Sequence, residues 1–144
     1  MTKAEQEKAK IKELANYMKS EKMQENIKKA EGMKYNAVRS VWFYNQVKTG
    51  GEWDPKYGGK PEMEHAGNFN YGLTGRASGY SEQTLLRAAG AYQEFRQSKN
   101  YDSANGHFYD LPLTGSNYGD DQKDQEMIKA GISYYDRIYG GRSW

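Results

Sequence analysis

The 144-residue chain has no cysteine, only three prolines and no apolar run approaching the length of a membrane span. Without thiols, disulfide bridges, thiolate metal sites and a cysteine nucleophile are excluded. A disulfide-free fold suits either redox environment, so cysteine usage does not locate the protein. With no long apolar segment and no signal-peptide core, membrane insertion is not expected, and export is expected to depend on something not encoded here. Aliphatic residues are also few, and mean hydropathy is −1.09. A surplus of one charge is lacking too: 21 basic against 19 acidic residues leave +2. Residues 1–31 hold eight lysines and six acids, so the remainder is balanced at thirteen of each. A dedicated nucleic-acid binder usually carries a basic stripe in its working part, and none is visible.

Tyrosine (13) and glycine (16) are abundant instead. A core short of aliphatic residues must lean on aromatics, each of which brings a large apolar area and a polar tip. The length suits one compact, lysozyme-sized domain, expected as a monomer.

Thr2-Lys3-Ala4-Glu5 is a capping box, and the spacing predicts one charged helix from Thr2 to about Glu31, with Ile11, Leu14, Met18 and Ile27 on its apolar side. Its thin stripe suggests a solvated connection to a carrier, which divides the chain into an N-terminal helix or linker over 1–33 and a working domain over 34–144. A second helix is predicted over about 36–48, with Val38, Val41, Trp42 and Val47 inward. Residues 50–80 are rich in glycine and aromatics, a pattern that predicts irregular chain or short hairpins and the place for a site. Ser81 caps a third helix, whose buried face carries Leu85, Ala88, Ala89, Tyr92 and Phe95. A second Gly/Asn-rich loop covers 99–119, and Asp121 caps a fourth helix carrying Ile128, Ile132, Tyr135 and Ile138. The expected class is mostly α (α+β): a compact helical domain in which a Gly/aromatic loop or small β region holds the site.

Chemistry-bearing residues concentrate in Glu62-Met63-Glu64-His65-Ala66-Gly67-Asn68-Phe69-Asn70-Tyr71-Gly72-Leu73-Thr74-Gly75 and in Tyr118-Gly119-Asp120-Asp121-Gln122-Lys123-Asp124. Together with Trp53-Asp54-Pro55-Lys56 and Leu85-Leu86-Arg87-Ala88-Ala89-Gly90, in that order over about residues 40–139, they resemble the bacterial polymorphic toxin type 44 domain. The family's Trp/Pro-rich segment is replaced here by Asn105-Gly106-His107-Phe108-Tyr109-Asp110-Leu111-Pro112, so nothing is carried over for 100–115. The resemblance implies a secreted effector of interbacterial competition. It would be delivered by a carrier and secretion apparatus into a target cell and held in check by a cognate immunity protein.

Three functions compete for these residues. Glycoside hydrolysis needs one carboxylic acid and one carboxylate. Glu64, beside Ala66 and Phe69, is the candidate acid, and Asp120 or Asp121 the candidate partner. Asn68, Asn70 and Gln93 would bind sugar hydroxyl and acetamido groups. Trp53, Tyr57 and Tyr71 would stack on sugar faces, with Lys56 and Arg87 as further contacts. This reading, muramidase-like cleavage of peptidoglycan in the periplasm without metal or cofactor, is favoured. Against it, Asp121 and Asp124 are also what a helix start asks for, and Asn68 and Asn70 suit turns. The alternative is a nuclease acting in the cytoplasm. Asp54, Glu64 and Asp120 would then hold Mg²⁺ against the nucleic-acid phosphate, or His65 or His107 would serve as a base. Two histidines and no cysteine argue against zinc. The third reading, a non-catalytic carbohydrate-binding module, explains the aromatics but not the acids.

Overall fold

The computed structural model describes residues 2–48, 51–53, 64–97 and 122–140, with the side chains of 92–97, 122–123 and 140 outside that description. The described residues form six α-helices: α1 (Lys3–Met18), α2 (Glu21–Gly32), α3 (Arg39–Val47), α4 (Glu64–Ala77), α5 (Glu82–Gln97) and α6 (Gln122–Tyr135). A π-helical turn, Asp136–Gly140, extends α6. The mostly-α expectation holds, and no strand occurs among the described residues.

The expected N-terminal cap is present: the Thr2 side chain accepts the Glu5 N–H at 3.1 Å. The single long helix is not. At Ser20 the backbone becomes extended, and the serine hydroxyl accepts the Met23 N–H at 3.2 Å, opening α2. A serine that can satisfy a free N–H makes such a break inexpensive. The break lets Tyr17 and Met23 both turn inward. Tyr17, Met23, Ile27 and Ala30 join the same core as Phe69, Leu73 and Ile132, so the packing does not change at the 33/34 boundary. Ile11, expected inward, is exposed, whereas Leu14 and Met18 are covered as expected, joined on the inward side of α1 by Glu13 and Tyr17.

The larger correction concerns residues 64–77. Their glycines argue for loops or hairpins, yet they form α4, the axis of the domain. Every residue from Ala66 to Gly75 is buried. A helix enclosed on all sides has no polar face to alternate with an apolar one, so the usual periodicity is missing. Glycine weakens a helix by about 1 kcal/mol relative to alanine. Here it permits close approach. A Cβ on Gly72 would overlap the Ile128 carbonyl, and one on Gly131 would overlap the Phe69 carbonyl. The two backbones therefore touch through reciprocal glycines. Asn68 meets Asp124, Gly72 meets Ile128, and Arg76 meets Asp136, so α4 and α6 run parallel.

Gly79, at φ +92°, turns the chain out of α4. The expected Ser81 cap then opens α5, accepting the Thr84 N–H at 3.1 Å. Helix α3 packs Phe43 between Tyr71 and Tyr80, at ring separations of 5.6 and 5.5 Å. Val38 and Val41, expected inward, lie outside.

Candidate functional site

Because α4 and α6 are parallel, their N-terminal ends lie at one end of the domain. Each end presents unsatisfied N–H groups and the positive pole of its helix, which favours acidic side chains. Three elements supply them. Glu64 is the first residue of α4, half-buried beside the half-buried His65. Asp124 lies in the first turn of α6. Glu13 arrives from α1 and accepts the Ala66 N–H, satisfying one of the free donors of α4. Burial pushes the Glu13 carboxyl above the ordinary glutamate range, and the nearby Glu64 adds to this. The Ala66 N–H bond and His65 pull the other way without cancelling it.

Asn68 ties the helices together. One turn into α4, its Nδ2 donates to the Glu64 carbonyl at 3.2 Å and to Asp124 Oδ1 at 3.2 Å. The end of the domain thus combines a carboxyl that favours its proton, two further acids and an amide that fixes one helix start against the other. Such a set can give and take protons around a scissile bond.

Of the residues singled out in the sequence, Glu64 and Asn68 come together here. Three others do not. Trp53 is fully buried, its Nε1 donating to Asn26 Oδ1 at 3.1 Å and its ring 5.5 Å from Trp42. Asn70 is fully buried, its Oδ1 accepting the Tyr17 hydroxyl and, at 3.2 Å, Asn26 Nδ2. Tyr71 is buried, its hydroxyl donating to the Leu85 carbonyl at 2.7 Å. These side chains build the core and present no face to a sugar. For Asn70 and Tyr71 the reason is the helical course of 64–77, which turns residues expected to line a loop toward the interior; Trp53 is drawn in by Asn26 and Trp42. Arg87 is exposed on α5. Lys56, Tyr57, Asp120 and Asp121 lie outside the described residues, as do Asp54, His107 and the side chain of Gln93. Among the described residues, no three acidic or histidine side chains group closely enough to hold a metal ion.

Glu13 is the residue that sequence reading missed. A signal existed: Lys10, Glu13, Leu14, Tyr17 and Met18 follow helical spacing, all at least partly covered, which puts an acid in the middle of the inward face. Asp124 was visible only as a helix-start residue.

The comparisons add one finding. No curated protein and no solved structure gives a significant match to the chain. A family model, Bacterial toxin 44, matches residues 3–137, from the first turn of α1 to the turn that ends α6. With nearly all of the described fold inside that match, including both N-terminal helices, the chain belongs to the bacterial toxin 44 family.

Proposed function

We propose that this toxin domain is a hydrolase that cuts the glycan strands of peptidoglycan by carboxyl catalysis at the common end of α4 and α6. Glu64 is the general acid that protonates the leaving oxygen. An aspartate of the Tyr118-Gly119-Asp120-Asp121 segment, immediately before α6 in sequence, is the carboxylate that activates water or stabilises the sugar cation. The observation that carries this reading is the Asn68–Asp124 hydrogen bond at 3.2 Å. It couples the start of α4, where Glu64 stands, to the start of α6, where the second acidic motif leads in. Two segments more than fifty residues apart in sequence are thereby held side by side, which supports a shared site. The glycan-stacking role once open to Trp53 and Tyr71 is not retained, since both are buried.

A second reading draws on the same end. Two parallel helix N-termini favour an anion, and His65 stands next to Glu64, which together suit phosphodiester cleavage, with Mg²⁺ where the outlying acids supply it.

Separate expression of the wild type and Glu64→Gln in the bacterial cytoplasm and in the periplasm distinguishes them. The glycan reading expects rounding and lysis from periplasmic expression only, with lysis abolished by the substitution. Cytoplasmic killing with degraded RNA or DNA would replace it with the nuclease reading.

A further inference from the structure

Helix α3 and the turn before it leave three large apolar side chains outside the core. Val38 and Val41 are 58 % and 54 % exposed, and Tyr35, one turn earlier, is 91 % exposed. Tyr35 lies in the turn before the helix, Val38 is its N-cap and Val41 is in its first turn, so the exposed apolar residues form a run leading into α3. The inward side is already occupied by Phe43, packed on Tyr71 and Tyr80. The run is therefore not a displaced core face.

Its surroundings are basic and aromatic. No acidic residue occurs between Glu31 and Glu52. Arg39 lies 4.3 Å from the centre of the Tyr80 ring and donates to the Lys34 and Ser78 carbonyls at 3.0 Å, uncharged acceptors that leave its positive charge in place. Lys48 lies 5.9 Å from the Tyr44 ring. Cations held against aromatic rings keep their charge and lose side-chain freedom, which lowers the entropic cost of binding.

We infer that the outward surface formed by the start of α3 and the turn before it, centred on Tyr35, Val38 and Val41, is the docking surface for the protein that neutralises this toxin, through a contact face with an apolar centre and an acidic rim. An aromatic and aliphatic centre inside a charged rim is the ordinary anatomy of a protein interface. Valine has nothing to offer a phosphate or a sugar, so a polyanion or glycan does not suit the centre. A second copy of this chain would set one basic rim against another. The face also lies away from the proposed site. Arg39 meets Ser78 and Lys34 packs beside Gly79, at the exit of α4, whereas Glu64 stands at its entry. The fourteen-residue α4 separates them by roughly 20 Å. Recognition by the neutralising protein is therefore anchored apart from the acids. The inference rests on membership of the toxin family and not on which polymer is cut.

The test begins with function. Genomic fragments of the producing strain are expressed in sensitive cells that carry the inducible toxin domain, and the fragment that restores growth encodes the neutralising protein. That protein, purified, is titrated calorimetrically against the wild type, Val38→Asp/Val41→Asp, the milder Val38→Ser/Val41→Ser, Lys48→Glu, and Gln6→Asp on the exposed side of α1 as a control. Circular dichroism melts establish that each variant is folded. The expected result is roughly 100-fold weaker binding for the aspartate pair, a smaller loss for the serine pair and roughly tenfold for Lys48→Glu, with Gln6→Asp unchanged. In cells, the valine variants still kill but escape neutralisation. Folded valine variants that bind within about threefold of the wild type would overturn the docking surface. A wild-type domain that kills in no compartment would overturn the toxin premise, and the inference with it.

Discussion

Glu13, on α1, accepts the backbone N–H of Ala66 near the start of α4. A carboxylate is a good acceptor for a free helix N–H, yet burial outweighs that bond and holds the Glu13 carboxyl above its ordinary value of 4.5. The folded chain therefore keeps a proton on Glu13 at a pH where the unfolded chain has already released it. The stabilising contribution is complete below the unfolded value and is lost as pH rises through the raised folded value.

Glu13→Gln keeps an oxygen for the Ala66 N–H and cannot ionise. Its melting temperature relative to the wild type should rise as pH is taken from about 4 to about 7. Thermal melts of both proteins across that range read the effect directly. A difference that stays flat with pH would show that Glu13 is ordinarily solvated.

The reciprocal glycines make a sharper claim. Gly72→Ala and Gly131→Ala each drive a methyl into a backbone carbonyl of the facing helix, where no flexible side chain can yield. Each should cost about 3 kcal/mol, near the upper end of overpacking. Gly32, the last residue of α2, has nothing within 4 Å of an added Cβ and no positive φ. Gly32→Ala should instead stabilise by up to about 1 kcal/mol. Urea unfolding of the three variants decides it. A mild effect at Gly72 or Gly131 would mean that α4 and α6 are not in backbone contact.

Asn26 occupies the centre of a buried polar chain. Its Oδ1 accepts from Trp53 Nε1 at 3.1 Å, and its Nδ2 donates to the Tyr17 hydroxyl at 3.1 Å and to Asn70 Oδ1 at 3.2 Å. Asn26→Leu keeps the branched shape of the side chain but strands the Trp53 indole N–H and removes a donor from two oxygens. The expected cost is about 2 to 4 kcal/mol, since a buried group without its partner loses its solvation as well as its bond. Indole fluorescence followed through a urea titration would report the loss at Trp53. A cost below about 1 kcal/mol would show that the chain of bonds contributes little.

The parts of the fold that were legible in the sequence are those governed by local chemistry. Thr2 and Ser81 cap helices because a side-chain oxygen three residues before a free N–H does so in most contexts. Helix α4 was not legible, because its glycines are chosen by the helix they touch and not by their own preference. Local rules read Gly67, Gly72 and Gly75 as breakers; only the facing Ile128 carbonyl explains Gly72. The lysines of residues 1–31 misled for the opposite reason. They describe the outer surface of α1 and α2 and carry no information about the inner one, where Tyr17, Asn26 and Ile27 are enclosed. Glu64, Asn68 and the acids before α6 could be picked out as a constellation of motifs. Glu13 shares the helical spacing of Leu14, Tyr17 and Met18, but its role depends on a helix, α4, whose existence was itself hidden.

The enclosure of Tyr17 and Asn26 ties the fold of the domain to its first thirty residues. A scissile bond near residue 33 would yield a fragment without the acceptor for its own indole, without the hydroxyl that meets Asn70, and with the entry of α4 stripped of Glu13. Such a fragment would not hold its fold. Both leading helices are therefore part of the unit that packs around α4.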